Sequence, residues 1–289
     1  FVIPLELNRS RYVQALEMRF DNSQAVHHAF TLFDASSASR DLDRDDPELG
    51  YDGMDAGDFA TSPAGQFISW QPGKVPSKGT PDMAFRLNPG TDAVLQVHMQ
   101  PTGKPEPVRG QVGLHYSDTP PTKFPFKIML RRIDIDIPAG VSDHSVEDSY
   151  QLPVAVDALA VLPHAHYLGK SVQAYAELPN GERRWLLRID DWDFNWQGDY
   201  RYAKPIHLPS GTVLHMKWTY DNSTNNPRNP FRPARRVRYG VQTTDEMGEL
   251  WLRVLPATLK DREILYRDQQ SKLLAEVITG RRLRLAANP

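Results

Sequence analysis

Short stretches rich in apolar and β-branched residues alternate along the chain with turn segments rich in proline and glycine. The 24 prolines and 18 glycines are spread over all 289 residues. Many short strands separated by such residues are typical of antiparallel β-sandwiches and barrels, not of units in which strands alternate with helices. The clearest β-type stretches are 93–99, 111–116, 127–137, 171–178, 212–220 and 249–255. Within the third stretch, the strict alternation of RIDIDI predicts a strand with one buried face.

Two segments show a helical spacing of apolar residues instead. Residues 257–279 repeat leucine, isoleucine and valine at near-helical intervals, and Gly280 is expected to end this C-terminal helix. The single apolar face favours a packing element, and a surface for a protein partner is the alternative. Residues 9–18 show a weaker helical pattern. The predicted fold class is therefore all-β, with two antiparallel jelly-roll-type β-sandwich domains and a C-terminal helix.

A domain boundary is expected near SDTPPTKFP, residues 117–125, where adjacent prolines follow a β-type stretch. The predicted domains are an N-terminal sandwich at 1–122 and a second sandwich at 123–256. A helix and tail follow at 257–289. Each predicted sandwich has an ordinary size for that fold.

Charge and hydropathy exclude several classes of partner. The formal net charge is −2, so neither nucleic acid nor an anionic membrane surface is favoured. The apolar run at 154–162 is among the longest in the chain, yet it is far shorter than the roughly 20 residues that a membrane-spanning helix needs. The chain is therefore predicted not to be transmembrane.

The absence of cysteine narrows the chemistry that a metal site could use. With no cysteine in the chain, a metal ion would have to be bound by histidine, methionine, aspartate or glutamate. His164 and His166 are separated by one residue, so on a strand both imidazoles point to the same face and can meet at one ion. His27 and His28 are adjacent and would point to opposite faces of a regular strand. Binding one ion there requires a bulge, a bend or the use of different ring nitrogens.

Four motifs occur in a fixed order along the chain: VHHAFTLFD, then LQVHMQPTGK with VGLHYSD, then LPHAHYLGK, then TTDEMGELWL. Together they resemble the copper- and ascorbate-dependent monooxygenases, the family of dopamine β-hydroxylase and peptidylglycine α-hydroxylating monooxygenase. DFNWQ at 193–197 and YDNSTNNPRNP at 220–230 are more similar to bacterial members. The resemblance covers about residues 1–255, nearly everything except the C-terminal helix.

The resemblance implies two copper ions per chain, the first in the N-terminal domain and the second in the C-terminal domain. The implied ligands are His27, His28 and His98 for the first ion, and His164, His166 and Met247 for the second, catalytic ion. Gln96 is similar to a family residue near the first copper and is expected to support that site. A soft thioether favours Cu(I), which agrees with a second site that binds O₂ in the reduced state.

The implied reaction uses O₂ and two electrons from ascorbate or another one-electron donor to hydroxylate a C–H bond of a small-molecule substrate. The resemblance implies an exported protein, and the chain has Phe1 in place of a start methionine. We therefore expect a secreted or periplasmic location. Peptide-amidating members anchor a substrate carboxylate with an arginine and a tyrosine, where this chain has Leu162 and Trp251. A peptide C-terminus is therefore not the expected substrate.

Two other functions stay open on the residues alone. The chain could be a non-catalytic copper-binding or structural subunit of a larger assembly that keeps the same fold. It could also be a mononuclear zinc or iron hydrolase built on the H-x-H pair, which would need a carboxylate nearby. Asp245 and Glu246 are the carboxylates that keep this second alternative open.

Overall fold

The computed structural model describes residues 1–53, 59–100 and 102–287. The other positions of the predicted domains and tail lie outside the described residues. The chain divides into two compact units, Phe1–Pro125 and Phe126–Pro289. Both units are built from antiparallel β-sheets, and a long helix ends the second unit. The predicted all-β fold with two sandwiches and a C-terminal helix is confirmed.

The first unit is a sandwich of a five-stranded and a three-stranded sheet. Its elements are β1 (Val2–Pro4), β2 (Arg11–Phe20), β3 (Val26–Asp34), α1 (Ala38–Asp45), β4 (Ala60–Thr61), β5 (Ser69–Trp70), a 3₁₀ turn (Pro81–Met83), β6 (Phe85–Leu87), β7 (Asp92–Met99) and β8 (Gly110–Ser117). The larger sheet has the order β1-β7-β3-β4, with β5 also paired to β3, and the smaller sheet has the order β6-β2-β8. Val13 of β2 packs with Phe33 and Ala93 of the larger sheet, so the core lies between the two sheets.

The helix predicted over residues 9–18 is wrong. Arg11–Phe20 forms β2, which pairs with β6 on one side and β8 on the other. Tyr12, Val13 and Phe20 are residue types that favour strands, and pairing on both sides supplies the backbone hydrogen bonds that a helix would have made internally. Tertiary pairing therefore overrides a weak helical spacing. The short helix α1 was not predicted.

The second unit contains two four-stranded sheets and a two-stranded pair. Its strands are β9 (Phe126–Arg131), β10 (Asp136–Ile137), β11 (His144–Gln151), β12 (Val156–Ala165), β13 (Gly169–Glu177), β14 (Arg183–Ile189), β15 (Tyr200–Leu208), β16 (Val213–Tyr220), β17 (Val237–Arg238) and β18 (Gly248–Pro256). The sheets have the orders β11-β16-β13-β14 and β15-β12-β18-β9, and β10 pairs with β17. Trp192, Trp218 and Tyr220 are the largest fully buried side chains of the core.

The single strand predicted over 127–137 is divided in two. β9 ends at Arg131, and Asp136–Ile137 then pairs with β17 as the separate strand β10. Ile135 and Ile137 are both buried, which accounts for part of the alternation in RIDIDI. The alternation therefore identified buried positions but did not show where the strand breaks.

The C-terminal helix α2 extends over Leu259–Ala287. The prediction that Gly280 ends it is wrong, because glycine inside a helix costs only about 1 kcal/mol relative to alanine. Leu265 is fully buried. The Gln269 side chain donates to the carbonyl oxygen of Met129 at 3.1 Å and accepts from its N–H at 3.3 Å. The helix thus packs on its own unit and covers the edge strand β9.

Neither helix in the described ranges is long and apolar enough to cross a membrane.

Candidate metal centres

A bulge in β3 brings the adjacent histidines of the first unit to one place. In the pairing of β3 with β7, Val26 is opposite Met99 but His28 is opposite His98, so the register shifts by one residue at His27. A bulge of this kind inserts one extra residue and redirects its side chain. Adjacent histidines on a strand can bind one ion if the backbone bulges or bends, and β3 has such a bulge at His27.

The imidazoles of His27, His28 and His98 form one cluster. The Nδ1 atoms of His27 and His28 are 2.7 Å apart, and the ring of His28 meets that of His98 edge-on, with centroids 4.7 Å apart. One ring nitrogen from each residue lies within 4.8 Å of the others. Among the described residues, this is the one group of three or more histidine, aspartate or glutamate donors this close together.

The spacing of these donors fits a bound transition-metal ion. Two nitrogens that are each bound at about 2.0–2.1 Å to one ion cannot be more than about 4.2 Å apart. The separations in the cluster are all within 4.8 Å, so small imidazole rotations are enough to bring the three nitrogens to one ion. His27 is buried and the other two rings are half-buried, so an ion would be partly shielded from water.

Gln96, the predicted supporting residue, lies two positions before His98 on β7 and opposite Phe30 of β3. Alternation places Gln96 on the same face of the strand as His98. The ring of Phe30 contacts the ring of His28, with centroids 5.2 Å apart. The supporting role of Gln96 stays a prediction.

In the second unit, the strand register brings the H-x-H pair close to Met247. β12 and β18 are antiparallel, with His164 opposite Glu249 and Ala165 opposite Gly248. Met247 comes directly before Gly248 and His166 directly follows Ala165, so these two residues lie one position beyond the last pair of the two strands. The His164 and His166 rings are 5.2 Å apart between centroids, and His166 is buried while His164 and Met247 are half-buried.

Hydrogen bonds fix which nitrogen of each imidazole carries the proton. His164 Nδ1 lies 2.6 Å from Gln197 Oε1, and the Gln197 amide is itself oriented because its Nε2 donates to the carbonyl oxygen of Phe194. His166 Nδ1 lies 3.2 Å from the carbonyl oxygen of Asp245. Both acceptors are oxygens that cannot donate, so each Nδ1 carries hydrogen and each Nε2 carries the lone pair. Both rings thus present Nε2 as the donor atom for a metal.

Glu246 fastens the H-x-H segment to the methionine segment. Its carboxylate accepts the backbone N–H of His166, of Leu168 at 3.0 Å and of Met247 at 2.8 Å. Complete burial raises the pKa of Glu246 to about 8, and the three N–H donors act in the opposite direction. Tyr220 adds a further link, because its hydroxyl donates to the Met247 carbonyl oxygen at 2.8 Å.

These contacts weaken the case for a hydrolase built on H-x-H. Both oxygens of Glu246 are already bonded to backbone N–H groups, and Asp245 faces His166 with its carbonyl oxygen. No group of three His, Asp or Glu donors within bonding range of one ion includes His164 or His166 in the parts of the chain that the structure describes. Among the described residues, therefore, neither Glu246 nor Asp245 completes a three-donor site with the H-x-H pair.

Sequence reasoning did not identify the roles of Glu246, Gln197 and Tyr220. The sequence places Glu246 beside Met247 and so indicates a candidate hydrolase ligand, but its bonds to the backbone N–H groups of His166 and Leu168 join residues about 80 positions apart. Gln197 lies in the DFNWQ motif, but its contact with His164 joins residues 33 positions apart. Two tryptophans near this motif lie in different environments. Trp192 is buried in the core, whereas Trp196 is 56% exposed.

The two positions that depart from the peptide-amidating enzymes are neighbours in the sheet. Leu162 is directly opposite Trp251 in the β12–β18 register, two positions from the pair of His164 and Glu249 and on the same face of the sheet. The Trp251 indole donates to the Glu249 carboxylate at 3.1 Å. The surface beside the H-x-H pair is therefore apolar and acidic, without an arginine at Leu162.

Comparisons with known proteins give no family for the chain. No family model and no curated protein matches it. It is similar to the major capsid protein P2 from Bacteriophage PM2, at 12% identity and a TM-score of 0.38, over 89% of this chain and 91% of that chain. A structure of infectious bursal disease virus, Gx strain, is similar at 11% identity and a TM-score of 0.24, over 86% of this chain and 58% of that chain. Similarity this weak supports no conclusion about function.

Proposed function

We propose that this chain is a dicopper monooxygenase that uses O₂ and an external electron donor, such as ascorbate, to hydroxylate a C–H bond of a small molecule. The observation that supports this most strongly is the cluster of His27, His28 and His98. Three histidines from two strands meet there through a bulge that a regular strand would not have. Packing of a β-sandwich core does not require three clustered imidazoles, so a bound metal ion is the better explanation for them.

The donor types agree with copper in both units. His27, His28 and His98 would hold an ion through imidazole, which suits copper in either oxidation state. His164, His166 and Met247 would hold an ion through two imidazoles and a thioether, a set that favours Cu(I). When bound, copper supplies one-electron transfer and activation of O₂.

The protein itself would contribute orientation and shielding in the second unit. Gln197 and the Asp245 carbonyl accept from the Nδ1 atoms of the two histidines, so Nε2 is the nitrogen of each ring that carries the lone pair, and the bonds fix the direction of each ring. Glu246 keeps the histidine and methionine segments together through three backbone N–H groups. Phe194 is buried and lies edge-on to His166 at 6.2 Å, which excludes water from that side of the ring.

The test is copper stoichiometry followed by O₂ uptake. After reconstitution, we expect two copper ions per chain and O₂ consumption with ascorbate. Met247→Ala should abolish O₂ consumption, and Met83→Ala, which changes a half-buried methionine outside both clusters, should not. Two bound coppers without O₂ consumption under any reductant or substrate would favour the non-catalytic subunit. Displacement of copper by zinc, unaffected by loss of Met247, would favour a hydrolase.

The predicted secreted or periplasmic location and the identity of the electron donor stay predictions. A protein partner at α2 also stays a prediction, because the described contacts of that helix are with its own unit.

A further inference from the structure

Residues 222–240, a loop that leads into β17, carry an excess of positive charge. They contain five arginines and no aspartate or glutamate, although the net charge of the whole chain is −2. The stretch is called the arginine segment below. Its charge lies on the surface, where an anionic partner can reach it, because all five arginines are exposed: Arg228, Arg232, Arg235, Arg236 and Arg238.

Buried amide side chains hold the backbone of the arginine segment. Asn222 donates through its Nδ2 to the carbonyl oxygen of Arg235 at 2.8 Å. Asn229 donates to Asn222 Oδ1 at 3.0 Å and accepts the N–H of Phe231 at 3.0 Å. Both asparagines are buried. The arginines therefore project from a backbone of fixed shape, which lowers the entropy that the segment loses when a partner binds.

Two acidic residues of the same unit balance part of this charge. Arg228 pairs with Asp191 at 2.8 Å. Asp136 binds Arg236 through both carboxylate oxygens and lies 3.7 Å from the Nε of Arg238. Because one carboxylate is shared by two guanidinium groups, one positive charge stays in excess at this point of the segment.

The other two arginines have no carboxylate beside them. Arg232 donates to the carbonyl oxygens of Thr224 and Asn226, and the guanidinium carbon of Arg235 lies 3.6 Å from the centroid of the Phe231 ring. In the parts of the chain that the structure describes, neither arginine forms an ion pair. Exposed guanidinium groups of this kind can bind carboxylates through two parallel hydrogen bonds.

The first unit carries a surface of opposite charge. Residues 41–53 contain six acidic residues and one basic residue, Arg44, which pairs with Asp41 at 2.9 Å. Leu42 and Leu49 of this stretch are 43% and 89% exposed. Residues 41–53 are called the acidic segment below, and they offer apolar contact area in addition to negative charge.

We propose that the arginine segment of one copy of this chain binds the acidic segment of a second copy. The two segments have complementary charge, and guanidinium–carboxylate pairs between them would be charge-assisted. Val241, directly after the arginine segment, is 51% exposed and offers apolar surface to an exposed leucine of the acidic segment. Every copy already carries an acidic segment, so no other acidic molecule has to be assumed.

The proposed contact goes beyond the proposed function and does not depend on it. Neither segment contains a candidate metal ligand, so failure of the copper chemistry has no influence on whether copies associate. Salt is the direct probe of such a contact, because exposed charges interact over roughly 10 Å at about 0.1 M ionic strength and over roughly 3 Å at about 1 M.

The experiment is analytical ultracentrifugation of the full chain, without added metal, at these two ionic strengths. We expect copies to associate at the lower ionic strength and to separate at the higher one. Wild-type protein that stays monomeric at the lower ionic strength would overturn the proposal, and so would association that salt does not weaken.

Charge reversal in either segment should weaken the association. One double variant combines Arg235→Glu with Arg238→Glu, and the other combines Glu48→Lys with Asp52→Lys. Each places like charges opposite each other, so we expect the affinity to fall by about tenfold or more. Circular dichroism checks the folding of both, and if the arginine variant unfolds, the acidic variant decides the outcome.

Mixing the two double variants tests the pairing itself. The mixture should associate again, because each reversed surface then meets its opposite charge, and a mixture that stays monomeric would overturn the proposal. The control combines Arg188→Glu with Arg267→Glu, two exposed arginines outside both segments, and should associate like the wild type. An equal loss in this control would indicate non-specific attraction and would also overturn the proposal.

Discussion

The two histidine clusters are held in different ways. In the first unit, the imidazoles of His27, His28 and His98 contact one another directly. In the second unit, His164 and His166 each donate to a separate oxygen, and the backbone between them and Met247 is tied by Glu246. The second cluster is therefore preorganised by its surroundings, whereas an ion at the first would have to replace the contact between His27 and His28.

The comparison shows that histidine side chains can be positioned for a metal in two ways, which differ in how much freedom the rings lose when the ion binds. The adjacent histidines meet here through a bulge, and their Nδ1 atoms, 2.7 Å apart, share one hydrogen. Histidines two positions apart on a strand need only the ordinary alternation, and the structure adds oriented acceptors to them. Ligands whose second nitrogen is bonded in this way lose less freedom when a metal binds.

The largest effect is expected from removing the Glu246 carboxylate. Glu246→Ala leaves three backbone N–H groups without an acceptor, and each such group costs about 1–3 kcal/mol when buried. We expect the free energy of unfolding to fall by at least about 3 kcal/mol in chemical denaturation. Glu246→Gln keeps one acceptor oxygen and should lose less. A variant Glu246→Ala as stable as the wild type would remove the distinction between the two clusters.

The sheet that carries the second cluster should also show a pH-dependent stability, through the desolvated ammonium group of Lys127 on β9. Because the pKa of Lys127 is lowered from 10.5 to about 8, the unfolded chain binds more protons than the folded chain between these values. The free energy of unfolding should therefore rise with pH across this window, by at most about 3 kcal/mol. Screening by solvent makes the rise smaller.

Lys127→Met should abolish this rise when its unfolding free energy is compared with that of the wild type from pH 7 to 11. Lys217 is the matched control, because the bond with Glu147 raises its pKa. Lys217→Met should therefore not remove the rise. Equal pH profiles for the wild type and Lys127→Met would contradict the prediction.

His98→Ala sharpens the comparison at the first cluster. We expect one copper ion per chain to be lost while the other stays bound, measured by metal analysis after dialysis. The stabilisation that copper gives the first unit should disappear, about 2.7 kcal/mol at a free concentration of 100 times the dissociation constant. Loss of both ions, or of neither, would show that His98 does not belong to an independent site. His115→Ala, which changes an exposed histidine on β8, serves as the control.

The smallest effect is expected at Gln197, which orients His164 without binding metal. Gln197→Leu should lower the affinity of the second site for copper by about 10- to 100-fold, as loss of such a partner does. The first site should keep its affinity. Gln96→Leu is the corresponding change in the first unit and tests whether that cluster depends on an orienting side chain at all. An unchanged second site in Gln197→Leu would mean that the bond to His164 does not prepare it for metal.

Much of the second unit followed from local patterns, and less of the first did. The ranges 171–178, 212–220 and 249–255, predicted as strands, lie in β13, β16 and β18 except for one residue at an end of each of the first two, and 93–99 and 111–116 lie in β7 and β8 of the first unit. Residues 9–18 were predicted as a helix, because apolar residues at three-residue intervals fit both a helix and a bulged strand. β2 shows a register shift between Val13 and Ala15, and a bulge breaks the alternation from which strands are predicted.

The sequence by itself determined the types of donor available, the all-β architecture and the shared face of His164 and His166, because composition and strand alternation are properties of short segments. Only the tertiary structure decided that His98 lies opposite His28, that Gln197 and Glu246 hold the H-x-H segment, and that Lys127 lies opposite Arg253. These contacts join residues far apart in the chain. They depend on strand pairing, bulges and burial, which no short segment specifies alone.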